Sequence, residues 1–116
     1  MQRANCWIDL GEPWRAVRLF EDEIDALPQI YRNDRGVYLA RLARAYAVAG
    51  EPERGAEAGI KALAIVAQTG SARTLTELAA MARIVGARQQ LPAVATFTER
   101  LQIVRDRLAT QLSRAV

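Results

Sequence analysis

The stretch ARAYAVAGEPERG at residues 43–55 repeats the spacing of ANCWIDLGEPWRA at residues 4–16, down to an identical Gly-Glu-Pro tripeptide. In each copy a small residue is followed by an aromatic three positions on, then a glycine, then a second small residue. Ala4, Trp7, Gly11 and Ala16 thus answer to Ala43, Tyr46, Gly50 and Gly55. A fainter third copy keeps Ala79, Ala82 and Gly86. Self-similarity at a fixed spacing is the mark of stacked supersecondary units. Such units serve far more often in interaction proteins than in enzymes, so the repeat predicts a binding module and leaves its partner open.

Outward from these corners the apolar residues recur at helical spacing, and no run shows the alternation of a strand. An all-α chain is expected. A first helix over residues 2–10 ends at Gly11, and Pro13 stands in the first turn of the next, where its missing N–H costs nothing. That helix runs to about Pro28, with Ala16, Val17, Phe20, Ile24 and Leu27 facing inward. Asn33 or Asp34 is placed to cap a third helix over 35–49, whose stripe is Leu39, Leu42, Ala43, Tyr46 and Ala47. Gly50 supplies a left-handed cap before a fourth helix over about 53–68. Gly70 ends that helix and Ser71 caps a fifth, with Leu75, Leu78, Ala79, Ala82 and Val85 inward as far as Gly86. A last helix from about Pro92 to Arg114 carries Phe97, Leu101, Val104, Leu108 and Leu112 on one face. This face either closes the stack or leaves an apolar seam for a second chain.

The 116 residues, 51% hydrophobic, suffice for one packed domain. No window approaches the roughly 18 apolar residues of a membrane span, and no leader pattern precedes the first helix; a cytoplasmic location is expected. One cysteine and no histidine leave no internal disulfide and remove the commonest metal ligand and general base. No metal, cofactor or enzymatic activity is therefore expected. Lys61 is the single lysine among many arginines, and alanine is abundant, a bias that suggests a GC-rich coding genome. The net charge of +3 is spread along the chain, whereas nucleic-acid binders gather their cations on one face.

The small–aromatic–glycine–small–aromatic pattern, closed by Pro28, resembles the tetratricopeptide repeat. The first copy fits best. The second puts Gly59 where that family prefers a bulky aromatic, and the third places Ala93 and Phe97 two residues late. Gly55 and Gly59 inside one helix cost about 1 kcal/mol each relative to alanine, unless close approach of helix backbones recovers it. The segments Tyr31–Ala49, Gly50–Glu53, Thr69–Arg73 and Leu91–Val94 are similar to the C-terminal repeat region of actinobacterial helix-turn-helix (XRE-type) transcriptional regulators.

That resemblance implies a short right-handed α-solenoid of about three repeats. They fall at about 1–28 with a truncated first helix, about 33–68, and about 71–114 with the closing helix. It also implies the sensing or assembly part of a regulator, with DNA reached only through a separate N-terminal domain. Family geometry lines the concave groove with the first helix of each pair, which nominates Asn5, then Arg41 and Arg44, then Arg73 and Arg83. Guanidinium groups pair bidentately with carboxylates, so the implied partner is a protein or acidic peptide. Glu77 occupies a slot that is usually basic.

The plainer reading of these arginines is a solvated helix face. Glu21, Asp22, Glu23 and Asp25 offer adjacent carboxylates, but the sequence shows neither a cleft nor a histidine beside them, so they are read as facing water. Trp7, Phe20 and Tyr46 are expected in the core, Trp14 on the surface at its corner, and Cys6 as a small buried apolar residue. Two rivals remain. Arg100, Arg105 and Arg107 on the last helix could meet phosphates, with Asp106 interrupting them, or that helix could form a homodimer.

Overall fold

Both Gly-Glu-Pro corners take the same backbone turn: Gly11 has φ +79° and Gly50 φ +83°, values open to glycine at little cost. In this computed structural model, which describes residues 11–26 and 32–115, Pro13 opens α1 (Pro13–Ala26) and Pro52 opens α3 (Pro52–Thr69). The corner at Gly50 closes α2 (Arg32–Val48) as a Schellman motif. The Glu51 N–H donates to the Tyr46 carbonyl at 2.9 Å and the Gly50 N–H to Ala47 at 3.2 Å. Gly70 ends α3, its N–H donating to the Val66 carbonyl at 2.8 Å. Ser71 accepts from the Thr74 N–H at 3.2 Å and so caps α4 (Ala72–Val85). A 3-10 turn at Gly86–Arg88 leads to α5 (Pro92–Ala115). Among the described residues there is no strand, and no described helix is long and apolar enough to cross a membrane. The expected helix over 2–10, with Asn5, Cys6 and Trp7, lies outside the described residues, as do Leu27, Pro28 and the side chain of Leu112.

The centre of the molecule is α2, which packs against α1, α3 and α4, while α3 also packs against α5. A helix covered on several sides should be apolar around its circumference. Accordingly Val37, Leu39, Ala40, Leu42, Ala43, Ala45 and Ala47 are all buried, a wider set than the single stripe expected. The helix also begins at Arg32, ahead of Asn33 and Asp34. Asp34 thus sits in the first turn rather than ahead of it, and its charge there complements the helix dipole.

The two glycines inside α3 are explained by close approach. A methyl group at Gly55 would stand 2.9 Å from the Ala43 carbonyl oxygen, and one at Gly59 would stand 2.6 Å from Cε1 of Phe97. The small residues of α3 thus let α2 come near on one side and admit the Phe97 ring of α5 on another. Phe97 is completely buried.

The remaining stripes follow the spacing with one shift. On α1, Ala16, Val17, Phe20 and Ile24 are buried as expected. On α4 the buried line is Thr74, Leu78, Met81 and Val85, while Leu75, Ala79 and Ala82 are half-buried. The inward face is turned because α4 meets both α2 and α3, and the Met81 methyl reaches to 3.1 Å from where a Gly55 Cβ would be. On α5, Val94, Phe97 and Leu101 are buried and Val104 and Leu108 half-buried; beyond Leu101 the helix outruns the core.

Candidate functional site: two faces of α2

The seam between α2 and α4 gathers part of the expected arginine groove. Arg41 and Arg44, one turn apart on α2, converge on Glu77 of α4. Arg41 Nε lies 3.4 Å from Glu77 Oε1, and Arg44 Nη1 lies 3.7 Å from Oε2. Arg41 is only 8% exposed, so this cation is held mainly inside the fold, and Arg44 stands further out. Arg73 sits one turn before Glu77 on α4 and is exposed; Arg83 is exposed near the end of the same helix. Asn5 lies outside the described residues. The structure therefore joins Arg41 and Arg44 through Glu77, a pairing that the sequence hinted at only as an acid in a basic slot.

The face of α2 toward α1 and α3 carries a feature that the sequence did not suggest. Arg35, Leu39, Leu42 and Tyr46 fall on one line of α2, and α1 and α3 stand on either side of it. Between them lies a hollow of about 420 Å³, and a second of about 250 Å³, lined by α2 and α3 alone, adjoins it at Leu39, Leu42 and Lys61. Together they follow α2 from Arg35 to Tyr46, about 16 Å at helical rise. Ile24, Leu39, Leu42 and Ile65 supply an apolar floor, Glu21 and Asp25 the α1 wall, and Lys61 the facing α3 wall. Glu21, Asp22 and Asp25 are exposed, as their sequence led us to expect, and Glu21 and Asp25 in addition border this open cleft. The cleft is built from three consecutive helices and takes shape only when they are packed together. The legible signal was the row of α2 positions 35, 39, 42 and 46, together with the lone lysine.

At one end of this trough the Tyr46 hydroxyl donates to Glu21 Oε1 and so ties α2 to α1. Burial first, and the Glu21 carboxylate second, push the Tyr46 phenol up to about 12. Trp14 packs edge-on against the Tyr46 ring, centroids 6.4 Å apart, and is 43% exposed, so it lies on the surface as expected. Tyr46 itself is half-buried, less enclosed than a core ring, because its slot opens on the trough.

The remaining groups do not assemble into chemistry. Arg100, Arg105 and Arg107 are exposed on α5. Arg100 and Arg107 share a face two turns apart, with Arg105 about 140° round from Arg100, and Asp106 accepts from the Gln102 amide at 2.8 Å. Arg100 also borders an apolar hollow of about 210 Å³ with Ile60, Leu63, Ile103 and Val104, between α3 and α5. Among the described residues no three Asp, Glu, Cys or His side chains come together as a metal site requires. Comparison of the chain with family models, with characterised proteins and with solved structures gave no match.

Proposed function

We propose that the chain is a tetratricopeptide-like protein-binding module, the sensing or assembly part of a bacterial transcriptional regulator, whose α2–α4 face takes an acidic segment of its partner. The repeat reading is supported by the matched φ of Gly11 and Gly50 and by the order of packing. The first helices of successive pairs, α2 and α4, lie side by side, and so do the second helices, α3 and α5.

The observation that carries the binding reading is the convergence of Arg41 and Arg44 on one carboxylate. Two guanidinium groups thus stand within ion-pair distance of one carboxylate, and guanidinium groups suit bidentate pairing with a ligand carboxylate. Arg73 adds an exposed cation to the same face.

The test is a fluorescence titration with a labelled Asp/Glu-rich peptide at several salt concentrations. Replacing both Arg44 and Arg73 by alanine should weaken binding by about tenfold or more and flatten its salt dependence. Unchanged affinity in that variant would remove the reading. Glu77→Gln should instead keep or tighten peptide binding while lowering the stability of the free protein by about 1–3 kcal/mol, since it removes the carboxylate that Arg41 and Arg44 share.

A further inference from the structure

We propose that the trough between α1 and α3 is a second binding site, built for one amphipathic helix of a partner protein that carries cations along one edge and anions along the other. This site lies on the opposite side of α2 from the arginine seam and does not depend on it.

Three observations select the occupant. The first is charge. Glu21 and Asp25 stand on the α1 wall without a cation between them, Lys61 stands on the α3 wall, and Arg35 borders the same hollow. Toward its far end Arg54 and Glu57 of α3 follow. A ligand with the same charge on both edges meets repulsion at one wall, and one with split edges meets attraction at both.

The second is the floor. Ile24, Leu39, Leu42 and Ile65 offer no hydrogen-bonding groups. An extended peptide laid there would leave its backbone N–H and C=O groups unpaired, because the walls are helices whose backbones are already bonded internally. A helix brings its backbone satisfied and presents an apolar stripe at positions i, i+3, i+4 and i+7. The third is length: a trough of about 16 Å matches about three helical turns. A small ligand would leave most of it empty.

The experiment uses the full chain and three fluorescein-labelled, helix-stapled peptides of about 14 residues with the same leucine stripe. One has lysine on one edge and glutamate on the other, one has lysine on both, and one has glutamate on both. The split-edge peptide should bind at least about tenfold more tightly than either twin. Lys61→Glu makes both walls acidic and should transfer the preference to the all-lysine peptide. Asp25→Lys cancels the charge of the α1 wall against Glu21 and should bring the all-glutamate peptide level with the split-edge one. Both residues are exposed, and far-UV circular dichroism checks that each variant folds; Lys61→Gln and Asp25→Asn give milder versions that should shrink the preference. The Arg44/Arg73 double variant should bind the split-edge peptide as the parent does, which separates this site from the seam.

Three results would overturn the proposal. One is no saturable binding of any peptide up to about 1 mM. Another is an order of affinities that the reversals leave unchanged. The third is sedimentation showing a dimer that Lys61→Glu separates, which would seat a second copy in the trough.

Discussion

On its two flanks α3 meets its neighbours in opposite ways. Toward α5 the step is closed: Gly59 forms a notch and the Phe97 ring fills it, with no room for a methyl group between them. Toward α1 the step is open: Lys61 and Ile65 border a hollow across which Glu21 and Asp25 stand. The difference is one of side-chain chemistry on a shared architecture. An apolar ring entering a glycine notch excludes water from both surfaces, whereas charged side chains facing one another cannot be dehydrated cheaply and hold the helices apart. Whether a stack of helices presents a solid back or a groove is decided position by position in this way.

The contrast breaks most sharply on the ring. Phe97→Ala should cost about 3–5 kcal/mol in chemical denaturation, as expected for emptying a fully buried aromatic site. Asp25→Ala or Lys61→Ala at the open step should move stability by no more than about 0.5 kcal/mol. Comparable losses on both flanks would mean that the open step is packed after all.

A smaller effect with a change of sign sharpens the same point. Gly59→Ala forces a methyl group to 2.6 Å from the Phe97 ring and should destabilise the parent by about 1–3 kcal/mol. In the Phe97→Ala background that obstacle is gone, and the substitution should stabilise by up to about 1 kcal/mol through helix propensity alone. A double-mutant cycle measures this reversal. An equal cost in both backgrounds would show that the glycine answers to some other constraint than the ring.

The closed step also shows what the sequence could and could not convey. Gly50, Gly70 and Ser71 announce the helix ends because caps are local chemistry, and the Pro13 and Pro52 starts follow for the same reason. Gly59 looked like a weak point in its helix because its compensation, Phe97, lies 38 residues away and becomes visible only when α5 is docked. The encirclement of α2 was hidden likewise: alanines at 40 and 45 read as neutral until helices are found on both sides. The arginine seam was half legible. Arg41 and Arg44 were nominated from the repeat pattern, but Glu77 as their common anion required the register between α2 and α4. The trough was not legible from Glu21 and Asp25, since a carboxylate pair on a helix looks the same beside water and beside a cleft.

A hydrogen bond fastens the edge of the open step, and its chemistry gives the mildest prediction. The Tyr46 hydroxyl donates to Glu21, joining α2 to the acidic wall. Tyr46→Phe should cost about 1 kcal/mol near neutral pH, partial solvent access keeping the loss at the level of an ordinary hydrogen bond. The phenol in the folded chain titrates at about 12, above its usual 10.0, so folding favours the protonated form. The contribution is therefore complete below pH about 10 and fades as pH climbs toward about 12. Other groups titrate in that range too, which makes the difference between parent and Tyr46→Phe the quantity to follow. That difference should shrink across the window, because an ionised phenolate beside Glu21 has lost its donor and faces a like charge. A difference near zero already at neutral pH would mean that the ring's packing against Trp14, which phenylalanine keeps, rather than the hydroxyl, secures α1 at the edge of the trough.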